Sequence, residues 1–486
     1  MSVEMSKYLQ ELAKKQEELK VKIKKDHWRL AYHLMPTTGW MNDPNGLCQL
    51  NGTYHFYHQY GPASATGEDV IHWGHKTSKD LVHFQDEEIF LYPNHSYDRD
   101  GVYSGSALVK DGKIHFFYTG NVKLEGDHDY TFSGREQNTV HVVSEDGFKI
   151  NSQKVVIPHA TYPKEFTNHI RDPKVFEKNG EYWMLLGART RDNEGKIPLF
   201  KSNDLDDWSY QGNFFGDDFS LGFMWECPDF FEVDNQEVLV FSPQGVNGSD
   251  FEFQNVYQSG YMLGNVDWQQ AKFKQSGKFI EFDRGFDFYA PQTFEDEQGR
   301  RILIAWMGIG DTMPEYSYPT ANKGWQHAAT LPREITVTKG KLYQKPLKEY
   351  EVLRCREEKY HYEKSLKNEQ FLKGEVYEMC IEILEQGNFA IKMREDTVLQ
   401  YNNGVLTLQH GPSGFGRNKR QIELKELEKI QLFMDKSSIE IFINDGEYVM
   451  TSRFFPKNGC DFIEFTGDAH LLIKKWNLNK AISTKD

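Results

Sequence analysis

The chain has 486 residues, more than one core of ordinary size accommodates, so two domains are expected, and its 38% hydrophobic and 14% aromatic content excludes a disordered chain. A formal net charge of -15 without a Lys/Arg-rich face excludes nucleic acid as a partner. No apolar run approaches the roughly 20 residues that cross a bilayer, which excludes a helical membrane protein.

The first element in the chain falls within residues 1–27. Leu9, Leu12, Leu19 and Ile23 recur at near-helical spacing among Lys and Glu, which predicts an amphipathic helix lying on its own domain. This segment lacks the apolar stretch of a secretory signal. The five cysteines, Cys48, Cys227, Cys355, Cys380 and Cys460, are odd in number and lack Cys-x-x-Cys spacing, so neither disulfides nor a zinc site is expected, and a cytoplasmic setting is.

Five segments then repeat one pattern, beginning at Met41, Ser104, Arg171, Glu226 and Tyr289. Each has a polar or acidic cluster, a short strand, a turn rich in Gly, Asn or Asp, and a second apolar strand, with a spacing of roughly 60 residues. A period of that size predicts a five-bladed β-propeller over 28–345. Superposed blades place Asp43, Ser104, Asp172, Glu226 and Tyr289 around one funnel. After residue 345 the texture changes to short alternating strands, which predicts a C-terminal β-sandwich over 346–486, linked through ITVTKGKLYQKPLKEYEVLR. The fold class is therefore all-β, with a short N-terminal helix.

Three carboxylates meeting in a funnel suit glycoside hydrolysis, in which one carboxyl protonates the leaving oxygen and another attacks the anomeric carbon or activates water. Glu226 follows Phe223, Met224 and Trp225, so an apolar surround and nearby like charge are expected to favour its acid form. Asp43, beside amide donors, is expected to be the ionised partner, and Asp172, next to Arg171, a permanently charged group that grips hydroxyls. Taken singly, Asn-Asp-Pro-Asn-Gly is turn chemistry, Arg171-Asp172 a surface ion pair, and Glu226 one acid among many. Their shared phase in an inward-facing repeat points to a site. Trp40, Trp73 and Trp306 are candidates for stacking on sugar, and Asn42, Gln59 and Ser104 for bonding its hydroxyls. The histidines at 55, 58, 72, 75 and 83 lie on different strand phases, so no metal is expected. Cys227 is expected to pack rather than react.

GWMNDPNG at 39–46, YSGSA at 103–107, RDPKV at 171–175, ECPD at 226–229, DFYAPQT at 287–293 and TLPRE at 330–334 together resemble glycoside hydrolase family 32, the invertases, fructanases and sucrose-6-phosphate hydrolases. SSIEIFINDGEYVMTSRFFP is similar to that family's C-terminal sandwich. The resemblance implies a β-fructofuranosidase with Asp43 as nucleophile, Asp172 as transition-state stabiliser and Glu226 as acid/base. It also implies a fructosyl site lined by Trp40, Met41, Asn42, Gln59, Trp73, Tyr103, Ser104 and Arg171. Within the family the layout is most similar to the bacterial sucrose-6-phosphate hydrolases. The expected partner is a small disaccharide, with no cofactor, no metal and a homodimer left open. A general invertase or fructanase, an inverting arabinan or xylan glycosidase of five blades, and a sugar-binding propeller without catalysis remain alternatives at this level.

Overall fold

A computed structural model describes residues 3–216, 219–363 and 372–481. Five antiparallel sheets follow one another, and their innermost strands are Gly39–Leu50, Val102–Lys110, Phe166–Lys178, Met224–Val233 and Tyr289–Glu295. Each of these strands packs against the next, and the fifth packs against the first, so the sheets close into a propeller of five blades. The short strand Trp325–Gln326, inserted within the fifth blade, pairs in parallel with Gly39 and Trp40 of the first and clasps the ring. Between blades lie apolar clusters, such as the one joining Trp183, Leu199, Trp225 and Phe241.

Every inner strand loses register at the same height. The shifts fall between Met41 and Pro44, Tyr103 and Gly105, Lys174 and Arg171, Glu226 and Asp229, and Tyr289 and Gln292. In four of the five a proline lies at or within the shift: Pro44, Pro173, Pro228 and Pro291. Proline has no N–H for the ladder, so the strand bulges where a bond cannot be made. In the second blade Gly105 takes that place, because a Cβ there would lie 1.9 Å from the Phe117 carbonyl oxygen.

The helix α1, Val3–Ile23, docks on the first blade. Leu12 is buried, the Gln16 amide donates to the Tyr60 hydroxyl at 3.2 Å, and Tyr8 bonds the His72 ring. Among the described residues no helix is long and apolar enough to cross a membrane.

The link between domains is shorter than the sequence suggests. Arg333–Thr338 and Lys341–Pro346 form a hairpin that completes the fifth blade, and only a 3₁₀ segment, Lys348–Leu353, leads into the sandwich. The hairpin carries the same alternation as the sandwich strands, so pattern alone does not assign it. Two six-stranded sheets form the sandwich around a core that includes Met379, Ile391, Leu432 and Ile441.

A buried polar seam joins the two domains. His33 Nδ1 lies 2.9 Å from Asp435 Oδ2 and its Nε2 3.0 Å from Glu440 Oε1, while Arg333 donates to Glu440 at 2.6 Å and to Asp283 at 3.2 Å. Burial opposes protonation of His33, but its two carboxylate partners raise it above the ordinary value of 6.5. Burial works on Asp435 and Glu440 in the other sense, and their cationic partners still hold both below the usual carboxylate range. The histidine's contribution to stability is complete below its unfolded value and is lost as pH rises through the folded one; the carboxylates' contribution is complete above their unfolded values and is lost as pH falls through the folded ones. His33→Gln is therefore expected to cost about 3–5 kcal/mol near neutrality, because it leaves buried charges unpaired. It should also flatten the alkaline side of the Tm–pH profile; a profile identical to wild type would show that the seam does not depend on this pair.

Candidate active site

At the axial mouth of the propeller lies a cavity of about 220 Å³ lined by residues between Asn42 and Asp311, with no contribution from the sandwich. A regular strand sends successive side chains to opposite faces, yet Asn42 and Asp43, Tyr103 and Ser104, and Arg171 and Asp172 all line this one cavity. The bulges make this possible by turning one extra residue inward. Three bulge residues have left-handed backbone, Asp172 at φ 64°, Cys227 at 48° and Ala290 at 48°.

Asp43 and Asp172 precede prolines, as the shared repeat phase predicts. Glu226 does not share that phase. It stands one residue earlier, level with Asn42, Tyr103, Arg171 and Tyr289, while Cys227 takes the pre-proline position. Because the bulge exposes both phases, all three carboxylates still meet.

Their surroundings differ. The Ser104 hydroxyl donates to Asp43 Oδ2 at 2.6 Å and the Asn42 amide to Oδ1 at 3.2 Å. A chain of bonds backs these groups: Gln59 Nε2 to Ser104 Oγ at 2.7 Å, Asn42 Nδ2 to Gln59 Oε1 at 3.1 Å, and Trp40 Nε1 to Asn42 Oδ1 at 2.8 Å. Burial pushes Asp43 up to about 6, with the Ser104 bond opposing and the Glu226 charge adding to the rise. Asp43 thus stays mostly ionised at neutral pH.

Asp172 accepts the Cys227 backbone N–H at 2.9 Å, and Arg171 Nε lies 4.0 Å from its Oδ2. Burial outweighs Arg171 and raises this carboxyl above the ordinary value, so the neighbour in sequence does not by itself set its proton affinity. Arg171 is shared, and its guanidinium is turned mainly to Glu226.

Glu226 is ringed by donors rather than by apolar side chains. Arg171 Nε reaches Oε1 at 3.2 Å with Nη2 beside it, and Gln244 Nε2 and the Tyr289 hydroxyl donate to Oε2 at 2.7 and 2.6 Å. The aromatic neighbour in sequence points the other way: strand alternation sends Trp225 into the core between blades, where its Nε1 donates to the Leu221 carbonyl at 2.7 Å. The apolar surround expected for Glu226 from its sequence neighbours is therefore absent.

Of the remaining candidate residues, Asn42, Gln59, Tyr103, Ser104, Arg171 and Trp306 line the cavity, and Trp40 supports it through Asn42. Met41 and Trp73 do not line it. Both are 0% exposed, Met41 in an apolar cluster and Trp73 behind Tyr103, to whose carbonyl its indole donates at 3.1 Å. Met41 lies on the opposite phase to Asn42, whereas Trp73, paired across the ladder with Gln59, is covered by Tyr103. Tyr289 lines the cavity as its place around the funnel predicts, and Gln244, Tyr257, Arg135 and Asp311 line it without having been singled out. Tyr289 alone had a signal, its repeat phase; Gln244 and Arg135 sit on second and third strands and Tyr257 and Asp311 on loops, whose positions follow only from the closed ring. Cys227 Sγ lies 3.6 Å from both Asp43 Oδ2 and Asp172 Oδ2, and burial and those charges push its thiol well above the ordinary value, so it fills space between carboxylates as an inert thiol. His55 and His75 bond each other at 3.0 Å within the first blade, and among the described residues no group of His, Cys, Asp or Glu is placed to hold a metal ion.

Residues 33–346 match the family model for the glycosyl hydrolases family 32 N-terminal domain, and residues 349–477 match that for the family 32 C terminal. The chain is 40% identical over 465 residues to a sucrose-6-phosphate hydrolase of Bacillus subtilis (strain 168), covering 93% of this chain and 95% of that protein. It is 38% identical over 448 residues to a raffinose invertase of Escherichia coli, covering 88% and 90%. Among solved structures, a sucrose-6-phosphate hydrolase from Lactobacillus gasseri superposes with a TM-score of 0.87 at 30% identity, covering 96% of this chain and 97% of that one. A β-fructofuranosidase from Bombyx mori superposes with a TM-score of 0.84 at 26% identity, covering 99% and 100%.

The Ser104 bond favours ionised Asp43, so chemistry that uses the Asp43 anion should fall away as pH drops through about 6. Ser104→Ala removes a bond worth about 1 kcal/mol and should move that acid limb of kcat/KM to higher pH by roughly 0.5–1 unit. A limb that stays in place would detach it from Asp43.

Proposed function

This chain belongs to glycosyl hydrolase family 32, and from that premise we propose that it hydrolyses the β-fructofuranosyl bond of sucrose 6-phosphate, and of sucrose, releasing fructose with retention of configuration. The observation that carries the proposal is the convergence of Asp43, Asp172 and Glu226 on one cavity with different partners for each. Asp43 attacks the anomeric carbon; the donors on it, a hydroxyl and an amide, are neutral and leave it a usable nucleophile. Glu226 protonates the glycosidic oxygen as the bond breaks, and then takes a proton from the water that releases the covalent fructosyl intermediate. Asp172 accepts from sugar hydroxyls and offsets the positive charge that develops on the ring. Arg171, Gln244 and Tyr289 hold the Glu226 carboxyl in place for both proton transfers.

Support for the phosphorylated substrate comes from the sucrose-6-phosphate hydrolases of Bacillus subtilis and Lactobacillus gasseri, which align over nearly the whole chain. We infer a cytoplasmic setting: a phosphosugar remains in the compartment where it is made, and five free cysteines suit a reducing compartment.

Fructose release from sucrose 6-phosphate and from sucrose, compared as kcat/KM, tests the substrate. A preference of about tenfold or more is expected; equal rates would make the protein a general invertase, and no release from either would overturn the hydrolase. Asp43→Asn should lower turnover by at least about 10³-fold while sparing substrate binding. Methanol added to the wild-type reaction should yield the methyl β-fructoside, seen by NMR; the opposite anomer as first product would establish inversion.

A further inference from the structure

The cavity is electrically lopsided. On the rim formed by the fourth and fifth blades stand Asp311 and Tyr257, whose hydroxyl donates to Asp311 Oδ2 at 2.7 Å. On the rim formed by the second and third blades stands Arg135, first residue of the strand Arg135–Ser144. Arg171 spends its charge on Glu226 and Asp172, but Arg135 makes no ion pair among the described residues, and its Nε is buried without a hydrogen-bond partner. Its guanidinium lies 6.0 Å from the Tyr130 ring centroid, and the Lys123 ammonium lies 5.8 Å from the same ring. Arg189, in the neighbouring blade, has Asn193 and the Phe223 ring for partners and no carboxylate. In a chain of net charge -15 this is a local excess of positive charge. His169 registers it: burial and then the charges of Arg171, Arg135 and Arg189 hold its ring well below the ordinary histidine value.

The side on which this charge sits matters. Asp43 is surrounded by Asn42, Gln59 and Ser104, all neutral and bonded to one another. The groups whose charges act on Arg135 are Tyr103, Arg171, Tyr130 and Glu226. A proton donor stands at the glycosidic oxygen, so the departing glucosyl group lies next to Glu226, whose charge reaches Arg135 on one rim and Tyr257 on the other; of these two rims only that of Arg135 offers a cation without a carboxylate partner. A phosphomonoester carries close to two negative charges and presents oxygens that match the guanidinium fork. Plain sucrose offers Arg135 no charge in return for its desolvation.

We propose that Arg135, with Lys123 adding charge from its paired position on the neighbouring strand, takes the 6-phosphate of the leaving glucosyl group and so sets the preference for phosphorylated over plain sucrose. This rests on the reading of the site given under Proposed function, and the test separates the two.

Wild-type protein, Arg135→Leu and Arg135→Lys are assayed with sucrose 6-phosphate and with sucrose, and inhibition of sucrose hydrolysis by glucose 6-phosphate is measured for each. The ratio of the two kcat/KM values should fall by about 30-fold or more in Arg135→Leu, and inhibition by glucose 6-phosphate should weaken by a similar factor. Arg135→Lys keeps the charge and loses the fork, and should lie between the two. If wild type prefers the phosphate and both variants keep its ratio and its inhibition, Arg135 is not the phosphate residue and the substrate assignment stands. If wild type has no preference, the substrate assignment falls on wild type alone and this inference with it. Should Arg135→Leu fail to fold, Arg135→Lys decides: an unchanged ratio and unchanged inhibition overturn the proposal.

Discussion

The site depends on a break in strand regularity repeated around the propeller axis. A strand with unbroken pleat shows alternate residues to the axis, and five such strands would bring either the Asp43 and Asp172 phase or the Glu226 phase to the cavity, never both. The register shifts at Asp43, Ser104, Asp172, Cys227 and Ala290 remove that restriction and let consecutive side chains work together. The cost lies in the backbone. Left-handed conformation at a residue other than glycine is unfavourable by about 1–3 kcal/mol, and Asp172, Cys227 and Ala290 all adopt it. Such strain persists only when the surroundings leave no alternative. Here the following proline, the ring of inner strands packed side by side and the bond from Asp172 N–H to Thr119 Oγ1 at 3.0 Å supply that constraint.

Once three acids have been brought into a space of about 220 Å³, their mutual repulsion has to be managed. Arg171 is the cation among them, bonded to Glu226 and 4.0 Å from Asp172. Asp172 and Asp43, left with fewer charged partners, move up toward neutrality under burial. The Cys227 thiol fits between these two where a hydroxyl would compete as a stronger donor and a larger side chain would push them apart.

The sandwich contributes nothing to the cavity lining, yet it bears on the site. Its edge strand Tyr448–Arg453 receives the backbone N–H groups of Arg284, Phe286 and Asp287, the segment that runs directly into Tyr289. Asp287 is further held by Arg417, at 2.7 and 2.9 Å, and by the Arg453 N–H at 2.7 Å. The second domain thus braces the strand whose first residue donates to Glu226.

Strand content, five repeats and the change of texture near residue 345 were legible because hairpin chemistry is local: a turn of Gly and Asn between apolar runs specifies a meander without reference to the rest of the chain. Asp43, Asp172 and Glu226 were legible because a repeat converts position in the chain into position around an axis. Local pattern failed where a residue's surroundings are supplied by other blades. Trp73 and Met41 read as lining residues and proved to be wall, since the face a strand residue takes depends on the register of its neighbours. The surround of Glu226, the proton affinity of Asp172 and the unpaired charge of Arg135 were likewise invisible, because each depends on which distant groups the closed ring brings within a few ångströms. The sequence alone determined what kind of blade is made, how many, and which acids they carry; the closure of the ring decided which of those side chains touch, since contact between blades is a property of packing and leaves no periodicity in the chain.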